Sequence, residues 1–368
     1  MEGLVVKDEK IWGAYIRKIV DRYLIKGLSG MALGLFSTLL IGTILKQIGS
    51  FIPQLGIGKL LITFGTLGTV MTGIGIAVGV AHQLEASKLV LYSSIVNGLV
   101  GAYGAKLVEG AMLNETGLLL SGPGDPLGAF VGAVIGVEIG RLISGKTKLD
   151  ILITPAVTIF SGSTVAYLIG PSLSEFTALL SQLIQVATTL QPFLMGIIVS
   201  VVMGIFLTLP ISSAAIGVIL NLSGIAGGAA TAGCTAQMVG FAIMSYKENK
   251  VNGLVAQGLG TSMLQMPNII RNPKIWIPPI LASAITGPIA SVVFELENVA
   301  TGSGMGTAGL VGPLLMWQTM SDKGVSSGIL LVEVLLVCFI LPGILTYIFS
   351  ELLRKIGWIK PSDLKLEL

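Results

Sequence analysis

The sequence predicts an all-α polytopic membrane protein with about ten transmembrane helices, two re-entrant hairpins and interfacial amphipathic helices. Three observations lead there. Only 11% of the 368 residues are charged, against about 25% in soluble domains. Mean hydropathy is +0.89. Apolar runs long enough to cross about 30 Å as helix recur along the chain. A soluble globule could not cover its surface with so few charges. Disordered chains, collagens and coiled coils are excluded by the same composition. The 49 glycines suit membrane helices that approach closely and backbone that breaks inside protein-lined cavities.

The elements follow in order. Residues 1–26 interleave Lys7, Lys10, Arg17, Lys18, Arg22 and Lys26 with Trp12, Tyr15, Ile16, Ile19, Val20, Tyr23 and Leu24. The three- and four-residue steps predict a basic amphipathic helix on the cytoplasmic surface of the membrane; a solvated charged tail is the alternative. Spans are expected at 27–48, 59–81, 89–105, 127–144 and 151–170, which form a first half over 27–171. A second half over 191–350 has spans at 192–209, 226–244, 251–270, 275–294 and 328–350. Between them, 172–190 carries Leu173, Phe176, Leu180, Leu183 and Ile184 at helical spacing, which reads as an interfacial helix or as a plain loop. Two apolar stretches are too broken to span. The stretch 210–225 has Pro210, Ser212, Ser213 and Asn221, and 303–320 follows a Thr301–Thr307 run rich in glycine and contains Pro313. Both read as re-entrant hairpins, entering from opposite faces. Residues 351–368 form a cytoplasmic tail, too short to be a fused domain.

Charge placement sets the orientation. With the N-terminus in the cytoplasm, cytoplasmic segments hold 16 of the 22 Lys and Arg residues. The 106–126 loop is acidic, with Glu109, Glu115 and Asp125 against Lys106. Ten spans with both termini inside satisfy this asymmetry.

Several motifs carry less than their spelling suggests. Gly140–Thr147 fits the phosphate-loop pattern G-x-x-x-x-G-K-[ST], but that chemistry needs a strand before the loop and a helix after it, within a nucleotide domain. Arg141, Lys146 and Lys148 are instead a positive membrane anchor. Asn114-Glu-Thr and Asn221-Leu-Ser are glycosylation sequons by spelling alone. Cys234 and Cys338 lack metal-ligand spacing and read as small core residues, and the single histidine, His82, excludes a His-rich site. Val96–Val100 recurs as Val251–Val255, a weak hint of inverted halves. No catalytic constellation, metal site, cofactor or nucleic-acid partner emerges.

Charges inside spans are candidates for function because they are costly there. Glu138 lies three residues before Arg141, so a local pair explains it; Glu333 lies near the outer end of the last span. The second half is rich in neutral hydrogen-bonding groups, among them Ser212, Ser213, Gln237, Gln265, Asn268, Asn298 and Thr307. Amides and hydroxyls beside opened backbone suit a small neutral polar substrate, since they offer donors and acceptors without the desolvation cost of a charge. Helix–helix hydrogen bonding is the competing role for each of them. Glu297, with Glu295 beside it, is the carboxylate nearest the second hairpin and is suited to sugar hydroxyls. A solvated outer loop is the alternative.

Four runs then resemble one bacterial group. They are Leu190–Gly196, Leu207–Ala215, Gly233–Gly240 and Gly258–Asn268. They are similar to the enzyme IIC-like membrane proteins of the phosphotransferase system, in the branch that includes perfringolysin O regulator-like proteins. The resemblance covers nearly the whole chain. It implies an interface half of five spans that forms a homodimer, and a transport half that moves as an elevator in the bacterial cytoplasmic membrane. It implies an acidic sugar contact, whose positional counterpart is Glu297, although the usual Glu-Pro pairing is missing and His82 lies in the other half. Phosphate would come from a separate cytoplasmic phosphocarrier subunit. The functional expectation is a transporter of a small neutral, sugar-like solute. The alternatives are a membrane-embedded regulator with a transporter fold and a gradient-coupled carrier of another solute.

Overall fold

The computed structural model describes residues 18–114, 117–118, 120 and 122–366. Most of the expected N-terminal surface helix, 1–17, lies outside them. From Val20 the chain is one helix to Phe51, so 20–26 continues directly into the first span. Widened π-type turns occur at Val20–Gly27 and Phe36–Leu40.

Among the described residues, five helices are long and apolar enough to cross a membrane: Val20–Phe51, Pro126–Ile143, Asp150–Thr188, Pro273–Val293 and Ser327–Lys355. The pair Gly56–Val70 and Thr72–Gln83, bent by 54°, makes a sixth if counted as one span. Lys88–Ala102 and Pro192–Thr208 are shorter apolar helices. The protein is an all-α polytopic membrane protein. A two-residue antiparallel pair, Leu113–Asn114 with Gly117–Leu118, is the strand content of the described residues.

The first half is an up-and-down bundle held at backbone contact. Gly30 meets Gly79, Gly34 meets Gly75, and Gly42 meets Gly65, which fixes Val20–Phe51 antiparallel to the bent pair. A Cβ on Gly34 would lie 2.1 Å from the Gly75 carbonyl oxygen, so no side chain fits without separating the helices. The pattern continues through Gly73 with Gly98 and Gly101 with Gly128. Asp125 starts the fourth span, its carboxylate accepting from the Leu127 amide at 3.0 Å. Asp150–Thr188 runs 39 residues without a break. At 1.5 Å per residue that is about 58 Å, well beyond a bilayer core, and 172–188 of the expected linker stretch is its far end.

The second half is built from interrupted segments, and its layout differs from the hydropathy layout in two places. Gly204 and Gly233 meet, Cys234 approaches the Met203 carbonyl, and the Thr208 hydroxyl reaches Gln237. Pro192–Thr208 and Gly224–Met244 therefore run parallel. The stretch 209–223 is a return leg that climbs back to the level where Gly224 pairs with Asn298, not a hairpin with both ends on one face. The stretch 251–270 is itself re-entrant. Asn249 binds the Leu364 carbonyl and Asn268 the Lys365 carbonyl, so the segment leaves and returns at the same end of the molecule. The two differences compensate in crossing parity. They also move Lys247 and Lys250 to the face that holds Arg22, Arg141, Arg354 and Lys365.

This basic face is tied by ion pairs. Arg22 binds Glu138 at 2.6 Å, with Arg141 at 3.7 Å from the same oxygen; Arg354 binds Glu248 at 2.9 Å. The local pair expected for Glu138 is present, and Arg22 adds a partner from 116 residues away.

Candidate functional site

Three chain breaks meet halfway through the bundle. The first follows Pro192–Thr208, where Leu209 is extended because Pro210 follows it, and Ser212 restarts the helix by capping Ala215 at 3.2 Å. The second is the tip of the hairpin that enters from the basic face. There Ala256–Gly260 widens, Thr261 turns extended with its hydroxyl accepting from the Met263 amide, and Pro267 opens the short return helix Met266–Arg271. The third is the tip of the hairpin that enters from the opposite face. Ala300–Ser303 descends, Gly306, Gly309 and Leu310 take left-handed conformations, and Val311–Asp322 climbs back. At Gly306 a Cβ would sit 2.9 Å from the Met238 sulfur, so glycine is required both for the turn and for the close approach.

The breaks line a partly open cavity of about 80 Å³, against a fourth wall formed by Leu35, Leu39, Leu40, Thr43 and Pro126 of the first half. Several waters fit such a space. The walls are mostly apolar, with five leucines, Ile211, Met263 and Met305 among them. Thr43, Ser212, Ser213 and Thr261 supply the hydroxyls, and no charged side chain lines it. Ser213 donates to the Gly304 carbonyl at 2.7 Å and so joins the first break to the third.

The predicted site residues separate into three places. Ser212 and Ser213 line the cavity, and Thr307 lies one residue from its wall, its hydroxyl directed at the Met238 sulfur at 3.5 Å. Gln237 is fully buried beside it. It accepts from Thr208 and from the Trp276 indole at 2.9 Å, and donates to Ser283. Glu297 and Asn298 stand at the base of the third break. Asn298 is 1% exposed and fully engaged: it donates to Thr231 at 2.8 Å and to the Gly312 carbonyl at 3.0 Å, and accepts from the Val299 amide. Glu297 pairs with Lys323 across that base. Gln265 and Asn268 lie at the basic face, where they bind the backbone of 364–365.

Sequence reasoning missed Gly260, Met263, Met305 and the first-half wall. Gly258, Gly260, Thr261 and Pro267 signalled the second tip, but an average over twenty residues hides a break flanked by apolar arms. The rejected phosphate loop has a direct structural answer: the Gly145 amide donates to Asp150 at 2.8 Å, so the loop's own carboxylate occupies the place of an anion. The Val96–Val100 and Val251–Val255 runs do not correspond. Asn97 is a buried staple to the Thr158 carbonyl, whereas Asn252 is exposed on a hairpin arm.

The family model for phosphotransferase system EIIC proteins matches residues 25–366. The chain belongs to this family. No curated protein matches the sequence. As an enzyme IIC, the chain is a membrane transporter component of the phosphotransferase system, a membership that implies a sugar substrate and association with the system's other components.

Proposed function

We propose that this enzyme IIC carries a small neutral sugar-like solute in the cavity between the three breaks, and that the second half moves as an elevator against the first. One observation carries the reading. Three interrupted segments, two of them entering from opposite faces, converge on one uncharged cavity against a continuous helix wall. Non-helical backbone at membrane depth is tolerated where it is buried in protein or lines a cavity. An uncharged lining receives a neutral solute without stranding a buried charge. The homodimer would form through the first half, whose rigid glycine-packed bundle suits a static scaffold. The basic face would be cytoplasmic, with both termini there, in a bacterial cytoplasmic membrane. A separate phosphocarrier subunit would supply phosphate.

The largely apolar lining favours a second reading, a membrane-embedded regulator that retains the transporter fold and binds a less polar ligand. A gradient-coupled carrier is the third. Reconstituted vesicles separate them. Uptake of a labelled sugar that accelerates with a phosphocarrier partner supports phosphotransfer. Uptake that follows an imposed ion gradient supports the third reading. No uptake across a broad sugar panel, with and without the partner, removes the transport reading.

A further inference from the structure

A second, smaller cavity lies directly below the first on the same seam. Ser29, Ala32 and Leu33 of the first helix form one wall, and Leu264, Asn268 and Leu366 line the other. The central cavity uses the same helix one to three turns further on, at Leu35–Thr43, and the same hairpin at Gly260–Met263. Met263 and Leu264, 2% and 7% exposed, fill the space between the two. The seam thus leads from the central cavity to the basic face, interrupted by a short apolar plug.

What closes its mouth is the chain segment 358–366. Four hairpin and flanking amides bind this segment largely through its main chain, in the way a peptide ligand is held. Asn249 donates to the Leu364 carbonyl at 2.7 Å and accepts from the Leu366 amide at 2.8 Å. Gln265 donates to the Leu364 carbonyl at 3.0 Å and Asn268 to the Lys365 carbonyl at 2.9 Å. Asn272 donates to the Trp358 carbonyl and to the Asp363 carboxylate. Lys274 stacks over the Trp358 ring at 4.8 Å. Ile359 and Leu364 are buried against Met266, Ile269 and Ile275. Both arms of the hairpin, before and after its tip, are therefore clamped by one strand of chain.

We propose that segment 358–366 is a displaceable strap that holds the basic-face hairpin against helix Val20–Phe51 and seals an exit seam from the central cavity. Main-chain hydrogen bonds can be exchanged for water once the strap lifts, so release does not strand a buried charge. Lifting it removes Leu366 from the lower cavity and frees the hairpin to draw Met263 and Leu264 out of the seam. The proposal rests on the central cavity being the solute site, but its test uses no solute. A seam that opens without transport would therefore refute only the functional reading.

The test reads accessibility. In a Cys234→Ala/Cys338→Ala background, a Met263→Cys probe is exposed to a membrane-impermeant maleimide at the basic face of reconstituted vesicles. Strap release by Asn249→Ala/Asn272→Ala, or separately by Leu366→Asp, is expected to speed labelling by about tenfold or more, the scale expected when several hydrogen bonds are lost. Labelling from the opposite face should not change. The unsubstituted protein offers a parallel measurement: in hydrogen exchange, the amides of 262–265 and 364–366 should open in one concerted step. Unchanged labelling with the strap released, or independent exchange of the two segments, overturns the proposal.

Discussion

Asn97 and Asn298 are the same side chain at the same depth of burial, 0% and 1% exposed, one in each half. Asn97 sits inside an unbroken helix, donates to the Thr158 carbonyl at 2.9 Å and accepts from Ser163 at 3.0 Å. Its neighbours are glycines that bring backbones into contact, and its amide only adds to a packing that already exists. Asn298 sits where there is no helix. Its three hydrogen bonds supply partners that the broken chain around Gly312 and Val299 would otherwise lack. The first half uses this amide to join finished helices, and the second uses its own to make an interruption tolerable inside a membrane. The difference separates a scaffold that resists shear from a set of tips that could be repositioned without unfolding anything.

The sharpest way to break this comparison is to crowd the scaffold. Gly34→Val places a branched side chain where a single Cβ would already lie 2.1 Å from the Gly75 oxygen. Overpacking costs ~1–3 kcal/mol and more when backbones must part, so this variant should lie beyond that range. In the second half, Gly258→Ala meets only the Ala242 Cβ at 3.4 Å, an ordinary contact, and should stay within ~1 kcal/mol of the parent. Thermal unfolding in detergent checks both. Equal losses would mean that the Gly258 tip is packed as closely as the Gly34 helix contact.

Much of this contrast was legible in the sequence. Composition gave the class, and each first-half apolar run is helical, although hydropathy did not show the 54° bend at Met71 inside the second run or the length of Asp150–Thr188. The second half announced its polar content through Gln237, Gln257, Gln265, Asn268 and Asn298. The course of the chain between those residues was not legible. Hydropathy counts how apolar a stretch is and not where it turns, so 251–270 looks like a span although Thr261 breaks it. Stretch 209–223 looks like a hairpin because the parallel run of its flanking helices is a tertiary fact, fixed by Gly204 against Gly233. Two misreadings of direction cancel in the positive-inside count, which tests only parity and charge. The wall that the first half contributes to the cavity could not be found at all, since Leu35, Leu39 and Leu40 look like any lipid-facing leucines until the partner tips are placed.

A smaller effect sharpens the comparison through the two asparagines. Asn97→Ala and Asn298→Ala each leave buried partners unsatisfied, at ~1–3 kcal/mol per stranded group. Asn97→Ala should lower the melting temperature and leave the tips where they are. Asn298→Ala should lower it by a similar amount and also release the 299–312 segment, seen as faster hydrogen exchange at Gly302–Leu310 together with reduced solute uptake. If Asn97→Ala loosens those same amides, the division of labour between the halves fails.

The smallest expected change in stability belongs to Glu297. Its carboxylate pairs with Lys323 across the base of the outer hairpin, with the two side chains 25% and 51% exposed. Pairs this open to solvent contribute ~0–1 kcal/mol and weaken with salt. Glu297→Gln and Lys323→Met should therefore unfold within about a degree or two of the parent, and of each other, on the scale set by such small energies. Activity is where they should part. Glu297 lies outside the cavity wall, so it reaches a sugar only when movement of the second half brings the hairpin base to the solute; in that case Glu297→Gln loses a charge-assisted contact and uptake falls by about tenfold or more. In Lys323→Met the carboxylate is kept and only its neighbour is lost, so uptake should be little altered. A residue that merely staples the hairpin predicts the other pattern, equal and modest losses in both variants, because the staple is broken from either end. The ratio of the two uptake rates thus tells a ligand-binding acid from a structural one, with stability held constant across the pair.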